Sequence, residues 1–570
     1  MPSAWPTNMP RSLEYPEVGV DMLLAGAARA HPHRVALRDG DETLTYAQLH
    51  DRALRVAAGL RARGIGPGDA VALHLPNTLW FLVAYYGILC AGAAAVPVNP
   101  AQPASPLRRQ LADCGVQALF THPANCAVFE RGAVPEGLRF AVHVPASAAA
   151  PAPVDAELPK DAFPDGLASL GELLMEEPLR DLAVDPESVA HLQLTGGTTG
   201  SPKAVRVLHR NLVANILQVG CWRSATLPYL DETGALRMRV VPEAVHRHSL
   251  VPGQGVFVAV APFFHSLGLV GHNVNTLLGT TVVIGGRFHP TAFLESVARH
   301  RANAVGGSPS LYYALLSSPA IETADLSSVT LLTSGAAPID TSALSRLRAA
   351  FPNAAVTDGY GLSEATAAVA FTPSHQGVPP GAVGLPVFDT EIAIRGEDGG
   401  TPCPNGDTGE VWVRGPQIAD GYHGRPELSA GQFVDGWLRT GDMGRLDENG
   451  YLFLAGRAKD MLIYKGYNVY PQPLEELLCS HPAIAQAAVV GRPDPVAGQI
   501  PVAFVVLRPP YVHEAGRGRE FLDEVMAHVA AEVAPYQKVR DVHIVDGLPL
   551  TPTGKILKTE LRKRWEDSGA

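Results

Sequence analysis

Leu192 to Val205 reads LQLTGGTTGSPKAV, an apolar run that leads into a turn rich in threonine and glycine and reaches a lysine. The apolar run predicts a strand, and such a turn leaves backbone N–H groups and hydroxyls available for phosphate oxygens. We therefore predict a phosphate-binding loop. Its candidate residues are Thr195, Gly196, Gly197, Thr198, Thr199, Gly200 and Lys203.

This loop is not a Walker A motif. That motif needs glycine, lysine and serine or threonine in direct succession, with the lysine opening a helix. Here Ser201 and Pro202 separate Gly200 from Lys203. An ordinary glycine-rich turn is the other interpretation, and the density of hydroxyls together with Lys203 argues against it.

Outside the loop, short β-rich apolar runs bounded by glycine and proline alternate with segments of helical periodicity. This alternation predicts an α/β fold. The runs Ala70 to Leu75, Val256 to Val260, Thr281 to Ile284 and Val329 to Leu332 are the expected strands, and Tyr46 to Arg63, Pro290 to His300 and Thr341 to Phe351 the expected helices. The apolar stretch Leu79 to Val98 is expected to be buried core and not a membrane span.

The 570 residues are too many for one hydrophobic core. From Thr390 strands and turns dominate, and a compact β/α tail follows a charged segment after Arg457. We predict a large α/β domain of several subdomains over residues 1–458 and a small, mobile α+β domain over residues 459–570.

Composition and charge limit the possible partners. A net charge of -11 gives no general attraction to nucleic acid. Six scattered cysteines without CxxC spacing indicate a reducing compartment, and the first residues do not resemble a secretory signal. We predict a cytoplasmic protein without a transmembrane segment.

The LQLTGGTTGSPK loop resembles the signature of the acyl-adenylate-forming (AMP-binding) superfamily. Further motifs of that superfamily follow in order. The amino-acid sequence of the loop is most similar to that of medium- and long-chain fatty acyl-CoA ligases. The resemblance implies an enzyme that joins a carboxylic acid to AMP and then transfers the acyl group to coenzyme A. ATP, Mg²⁺ and coenzyme A are the implied cofactors.

The other motifs imply roles for single residues. His265 in APFFHSLG takes the position beside the acyl pocket, and DGYGLSE places Asp358 at the adenine amino group, Tyr360 against its ring, Ser363 at phosphate and Glu364 at Mg²⁺. In WLRTGD, Asp442 matches the ribose-binding aspartate. Arg457 matches a nucleotide-contacting arginine, Lys459 a pivot, Lys465 and Gly466 the pantetheine loop, and Lys555 in PLTPTGK the catalytic lysine.

The chemistry requires such groups because a carboxylate and a phosphate repel each other. A pair of unit charges about 4 Å apart costs about 4 kcal/mol at an effective dielectric constant of ~20. Mg²⁺ on Glu364, the loop around Lys203, and Lys555 are expected to neutralise this charge. The small domain is then expected to rotate about Lys459, so that a thiol can approach the acyl carbonyl.

Several alternatives stay open for the acid and the acceptor. Phe263, Phe264, Leu267, Leu269 and Tyr312 suggest an apolar tunnel and a fatty acid, although an aryl acid fits as well. The acceptor is expected to be coenzyme A, since no carrier domain follows. A fatty-acyl-AMP ligase that loads a separate acyl carrier protein is the main alternative, and a non-catalytic acyl-nucleotide sensor is the other.

Two features depart from the resemblance. Ala204 follows Lys203 where relatives commonly have glycine, which would tighten the loop. The segment Arg223 to Gly255 is interpreted as an inserted, solvated loop at the acyl entrance, and its His246 and His248 as solvated side chains and not as a metal site.

Overall fold

The structure is a computed structural model that describes residues 5–152, 160–180, 184–195, 203–335, 339, 341–396, 399–551 and 555–568. Within these ranges the chain forms a seven-stranded and a nine-stranded sheet, two five-stranded sheets and a separate hairpin. This mixed architecture confirms the predicted α/β class.

The first third of the chain builds most of the seven-stranded sheet. Its helices are α1 (Asp21–Ala30), α2 (Tyr46–Ala62), α3 (Leu79–Cys90), α4 (Ala104–Asp113) and α5 (Leu170–Leu174). The strands in this part of the chain are β1 (Val35–Asp39), β2 (Glu42–Thr45), β3 (Ala70–His74), β4 (Ala94–Pro97), β5 (Val116–Thr121), β6 (Phe140–His143), β7 (Leu167–Ser169), β8 (Val189–Leu194) and β9 (Ala204–Leu208). Strands β1 and β2 belong to the nine-stranded sheet, and the other seven form the seven-stranded sheet. The strand order is β7-β6-β5-β3-β4-β8-β9, and only the β8–β9 pairing is antiparallel.

The middle third completes the nine-stranded sheet. Its helices are α6 (His209–Ser224), α7 (Ser266–Leu277), α8 (Pro290–Arg299), α9 (Pro309–Leu316) and α10 (Thr341–Ala350). Its strands are β10 (Thr226–Leu230), β11 (Leu236–Val240), β12 (Val256–Ala259), β13 (Thr281–Ile284), β14 (Ala304–Gly307), β15 (Leu331–Gly335), β16 (Ala355–Tyr360), β17 (Ala370–Phe371) and β18 (Leu385–Pro386). The strand order is β18-β17-β16-β15-β14-β12-β13-β1-β2, and the segment from β16 to β1 is parallel.

The last third forms the two five-stranded sheets. Its helices are α11 (Pro426–Gln432), α12 (Pro471–Ser480), α13 (Arg519–Ala530) and α14 (Lys558–Ser568). Its strands are β19 (Glu391–Arg395), β20 (Gly409–Arg414), β21 (Phe433–Val434), β22 (Trp437–Leu446), β23 (Leu452–Arg457), β24 (Leu462–Tyr464), β25 (Tyr467–Val469), β26 (Ile484–Asp494), β27 (Gly498–Leu507) and β28 (Asp541–Ile544). Strands β19 to β23 form one sheet and β24 to β28 the other, so the sheet changes directly after Arg457. The predicted domain boundary at this point stays a prediction.

The apolar stretch Leu79 to Val98 is buried inside the protein. It forms α3, whose side chains are all buried, and the buried strand β4. A helix that is apolar on all sides belongs in a core. Within the described ranges, no helix is long and apolar enough to span a membrane.

The segment Arg223 to Gly255 differs from the expected solvated loop. Arg223 belongs to the last turn of α6, and β10 and β11 form an antiparallel hairpin. This hairpin packs against α1 so closely that a Cβ on Gly26 would lie 1.7 Å from the carbonyl oxygen of Leu236. The segment contributes Arg223 and Leu250 to the lining of a cavity, while the hairpin itself lies against α1.

Candidate active site

A large cavity lies beside the carboxyl ends of the parallel strands β14, β15 and β16, which is the usual ligand position in open α/β sheets. Helices α6 and α7 form its other side. Among the described residues its lining is mainly apolar, and Lys555 reaches it from the last part of the chain. The lining also includes His265, Tyr360 and Ser363 from the predicted site.

The predicted phosphate loop connects β8 and β9, and the structure describes its two ends. The Thr195 N–H donates to the Lys203 carbonyl at 2.9 Å, and the Lys203 N–H donates to Thr195 Oγ1 at 3.3 Å. The pairing of Leu194 with Ala204 continues this ladder, so Ala204 is a strand residue. Of the predicted contacts, Gly196, Gly197, Thr198, Thr199 and Gly200 lie outside the described residues.

Tyr422 links the phosphate loop to the predicted magnesium ligand. The Lys203 ammonium lies 4.6 Å from the centroid of the Tyr422 ring, and the Tyr422 hydroxyl donates to Glu364 Oε1 at 2.8 Å. Backbone pairing holds this tyrosine in place, because Val205 and Tyr422 form an antiparallel bridge. Burial, and then the charge of Glu364, raises the pKa of the Tyr422 hydroxyl, so it stays a donor. Sequence reasoning missed this residue, since a single tyrosine in a loop has no distinctive spacing.

The Asp442 carboxylate is held by two partners. The Tyr360 hydroxyl donates to its Oδ2 at 2.6 Å, and Arg457 Nε lies 2.7 Å from its Oδ1. The pairing of β22 with β23 sets Asp442 directly opposite Arg457. Burial raises the pKa of Asp442, and Arg457 opposes that shift. Each oxygen keeps lone-pair capacity for a further donor, as the predicted ribose contact requires.

The charges of Asp442 and Arg457 also act on Lys555, although it lies about a hundred residues further along the chain. Its backbone exchanges two hydrogen bonds with Thr551, at 3.0 Å and 2.7 Å, which fix the loop that carries it. Burial and the Arg457 cation lower the pKa of the Lys555 ammonium, and Asp442 and Glu364 act in the opposite direction. The structure therefore brings the predicted catalytic lysine to the predicted nucleotide-binding carboxylates.

His265 caps α7 at the cavity. Its Nδ1 accepts a hydrogen bond from the Leu267 N–H at 3.3 Å. Burial, with a further contribution from Lys555, lowers the pKa of His265 to about 4, so the ring is neutral at pH 7. Because Nδ1 is the acceptor, the ring proton is on Nε2. A neutral donor of this kind can bind a carboxylate or carbonyl oxygen in the cavity.

Asp358 and Ser363 lie near the cavity on either side of Tyr360. Burial raises the pKa of Asp358 to about 7, and Asp358 Oδ1 accepts the Gly359 N–H at 2.9 Å. The carboxyl group is therefore partly protonated at neutral pH, and in either form one of its oxygens can accept from an adenine amino group. Ser363 lines the cavity at the start of the short turn that carries Glu364.

Lys465 and Gly466 are not part of this cluster. They form the turn between β24 and β25, with φ values of 50° and 83°, and both are exposed. Neither residue lines the cavity. Their predicted role in the pantetheine loop stays a prediction.

The residues around Glu364 fit a magnesium ion that is shared with phosphates. Glu364 Oε1 accepts from Tyr422, and the second carboxylate oxygen makes no hydrogen bond to any residue that the structure describes. In the described ranges no cluster of three His, Cys, Asp or Glu residues could hold a metal by itself. Mg²⁺ is commonly bound by one or two carboxylates together with substrate phosphates, and Glu364 suits that arrangement.

Comparison with known proteins identifies the family. A model described as AMP-binding enzyme matches residues 24–423, and one described as AMP-binding enzyme C-terminal domain matches residues 473–555. The chain belongs to the AMP-binding enzyme family. This confirms the predicted superfamily and its acyl-CoA synthetase branch.

Relatives in this family match along nearly the whole chain. A long-chain-fatty-acid–CoA ligase of Bacillus subtilis (strain 168) is 31% identical, over 98% of this chain and 96% of that protein. A feruloyl-CoA synthase of Amycolatopsis sp. is 35% identical, over 94% and 97%. The solved structure of a benzoate CoA ligase from Burkholderia xenovorans LB400 is 25% identical, covers 95% of this chain and 99% of that one, and has a TM-score of 0.78.

The Tyr422 contacts lead to a graded prediction. Tyr422→Phe removes the hydrogen bond to Glu364 and keeps the ring beside Lys203, whereas Tyr422→Leu removes both. A hydrogen bond to a charged group contributes about 1.5–3 kcal/mol and a cation–π contact about 0.5–1 kcal/mol. We expect kcat/KM for MgATP, measured by pyrophosphate release, to fall roughly tenfold in Tyr422→Phe and further in Tyr422→Leu.

Tyr229→Phe, which changes an exposed tyrosine of the β10–β11 hairpin, is the matched control and should equal the wild type. Wild-type kinetics in Tyr422→Leu would show that this contact has no part in binding MgATP.

Proposed function

We propose that this protein is an AMP-forming acid–thiol ligase. It joins a carboxylic acid to ATP to give acyl-AMP and pyrophosphate, and then transfers the acyl group to coenzyme A with release of AMP. One observation carries the proposal: Lys555 and Tyr360 line a mainly apolar cavity, and the Tyr360 hydroxyl joins this cavity to the Asp442–Arg457 ion pair. An anionic nucleotide and an apolar acyl group can bind there side by side.

In the first step, a carboxylate oxygen of the acid attacks the α-phosphorus of ATP. The bond from that phosphorus to the bridging oxygen breaks, and pyrophosphate leaves with the bonding electron pair. Lys555 and Arg457 place positive charge where the two anions approach each other, and neutral His265 can donate to the acid. Mg²⁺ held by Glu364 would neutralise phosphate charge.

In the second step, the thiolate of coenzyme A attacks the acyl carbonyl carbon, and the carbon–oxygen bond to AMP breaks. Because Lys555 lines the cavity in the present arrangement, we propose that the C-terminal part turns about Lys459 before the thiol enters. Asp460, the next residue, pairs with Arg562 of α14 at 2.7 Å and so belongs with the C-terminal part. This contact supports a pivot at Lys459.

Coenzyme A is the acceptor that we propose. The relatives described above are named as coenzyme A ligases or synthases, and none is named for a carrier protein. Relatives named for a fatty acid and for an aromatic acid have similar identities to this chain, 31% and 35%. The fatty-acid prediction therefore stays a prediction. A pyrophosphate-release screen over fatty and aromatic acids, with and without coenzyme A, tests the proposed function, which fails if no acid releases pyrophosphate.

Removal of the lysine should separate the two steps. In Lys555→Ala we expect the rate of pyrophosphate release to fall at least about a hundredfold, since a charge directed at the reacting phosphate is lost. Transfer from supplied acyl-AMP to coenzyme A should change less than about threefold, because Lys555 has left the cavity at that stage. Rapid-quench measurements of the two steps check this, and equal losses in both would contradict the proposed role.

The pH dependence of adenylation should also reflect the ionisation of Lys555. Its pKa lies below the ordinary value of 10.5, so the ammonium loses its proton at a lower pH than an exposed lysine does. Adenylation therefore weakens as the pH rises towards that lowered pKa, and kcat/KM for ATP reports this ionisation in the free enzyme.

Lys555→Arg keeps its charge throughout the alkaline range. We expect kcat/KM for ATP to show no fall at alkaline pH in Lys555→Arg, even if its maximum value is lower than that of the wild type. An alkaline limb that is identical in both proteins would assign the ionisation to another group.

A further inference from the structure

The cavity contains an arginine that the proposed mechanism does not use. Arg223, in the last turn of α6, lines the cavity together with apolar residues such as Val219 and Phe257. Among the described residues, no hydrogen bond or ion pair reaches its guanidinium. The guanidinium lies over the face of Phe371, 5.0 Å from the ring centroid.

No described residue of the cavity lining supplies the missing negative charge. The described lining contains no aspartate or glutamate, and its other permanent cation is Lys555. Burial lowers the pKa of the Arg223 guanidinium to about 10, so the group is still charged at pH 7. Arg223 is half-buried. A charge that loses part of its hydration and has no partner is unfavourable, and contact with an aromatic face compensates only part of that loss.

Arg223 is separate from the nucleotide-binding cluster. Among the described residues, no hydrogen bond or ion pair joins Arg223 to Asp442, Arg457 or Glu364. Its backbone lies towards the far end of α7. A Cβ on Gly220, one turn before Arg223, would lie 2.7 Å from Leu277 in the last turn of that helix.

The length of α7 separates the two ends of the cavity. His265 caps the start of α7, and twelve residues at about 1.5 Å each place Leu277 roughly 18 Å away. The reacting carboxylate belongs at the His265 end, where Lys555 also lies. The backbone of Arg223 lies at the other end, and its guanidinium reaches over the ring of Phe371. From there it can meet a part of the acid that does not react.

We infer that the acyl pocket selects an acid with a second carboxylate, which Arg223 binds while the first carboxylate reacts. This inference rests on the proposed function and narrows its substrate class. A guanidinium matches a carboxylate in a bidentate geometry and supplies the counter-charge that each lacks in an apolar cavity. The prediction of a plain fatty acid came from the apolar residues and from the similarity of the phosphate loop to fatty acyl-CoA ligases, and Arg223 changes that expectation.

The test compares each diacid with its own monomethyl ester. The panel runs from succinate to sebacate and includes terephthalate, so only the distal charge differs within a pair. We expect the best diacid to exceed its ester at least about tenfold in kcat/KM, the difference expected for a charge-assisted hydrogen bond in a cavity. Pyrophosphate release with saturating MgATP and coenzyme A is the readout.

Arg223→Met removes the charge and keeps an unbranched apolar side chain. This variant should lose the preference for the diacid and accept the ester as well as or better than the wild type does. Arg223→Lys keeps a charge without the bidentate geometry, so its preference for the diacid should lie between those of the wild type and Arg223→Met. Arg239→Met, which changes an exposed arginine of the β10–β11 hairpin, should keep the wild-type preference.

The outcomes separate the inference from the proposed function. If no acid releases pyrophosphate, the proposed function fails and the inference falls with it. If acids react but the wild type uses each ester as well as its diacid, only the inference is overturned. An unchanged preference in Arg223→Met also overturns it. The wild-type comparison decides the matter even if Arg223→Met does not fold.

Discussion

The buried pairing of Asp442 with Arg457 and Tyr360 is the interaction on which the site depends. Two adjacent strands place the carboxylate and the guanidinium directly opposite each other, at 2.7 Å, and Tyr360 closes the group from the neighbouring sheet. A carboxylate buried there without Arg457 would be strongly disfavoured. Because β23 ends at Arg457, this pairing also lies where one five-stranded sheet ends and the chain enters the other.

The site holds more positive charge than its carboxylates balance. Lys203, Arg457 and Lys555 surround Glu364 and Asp442, and the pKa of Lys555 is lowered because the group is buried beside another cation. In the proposed reaction, the triphosphate of ATP supplies the missing negative charge. Attraction of this kind, fixed in place before the substrate binds, is what lowers the barrier for an attack of one anion on another. The unpaired Arg223 extends the same imbalance into the acyl part of the cavity.

The sequence was sufficient for the fold class and for much of the site. Periodicity placed α2 and α8 to within one residue, because an amphipathic helix carries its own signal. The resemblance selected Asp442, Arg457 and Lys555, which the structure brings together although they are far apart in the chain. Their roles in catalysis stay predictions.

Other parts of the site had no local signal in the sequence. The link from Tyr422 to Glu364 depends on a strand pairing between distant segments, and a single tyrosine has no spacing that reveals it. Arg223 was assigned to an inserted loop, whereas it lies in the last turn of α6 and lines the cavity. Whether a helical arginine faces water or a cavity depends on the packing of α6 against α7, which is a property of the tertiary structure.

The most direct test of this account is a crystal structure with Mg²⁺ and an ATP analogue that carries a methylene group between the α- and β-phosphates. The account predicts the adenine ring against Tyr360, the ribose hydroxyls on Asp442, and Lys555 Nζ within hydrogen-bonding distance of an α-phosphate oxygen. A nucleotide bound elsewhere, or one bound there while Lys555 faces solvent, would contradict the claim that cations from two parts of the chain converge on the reacting phosphate.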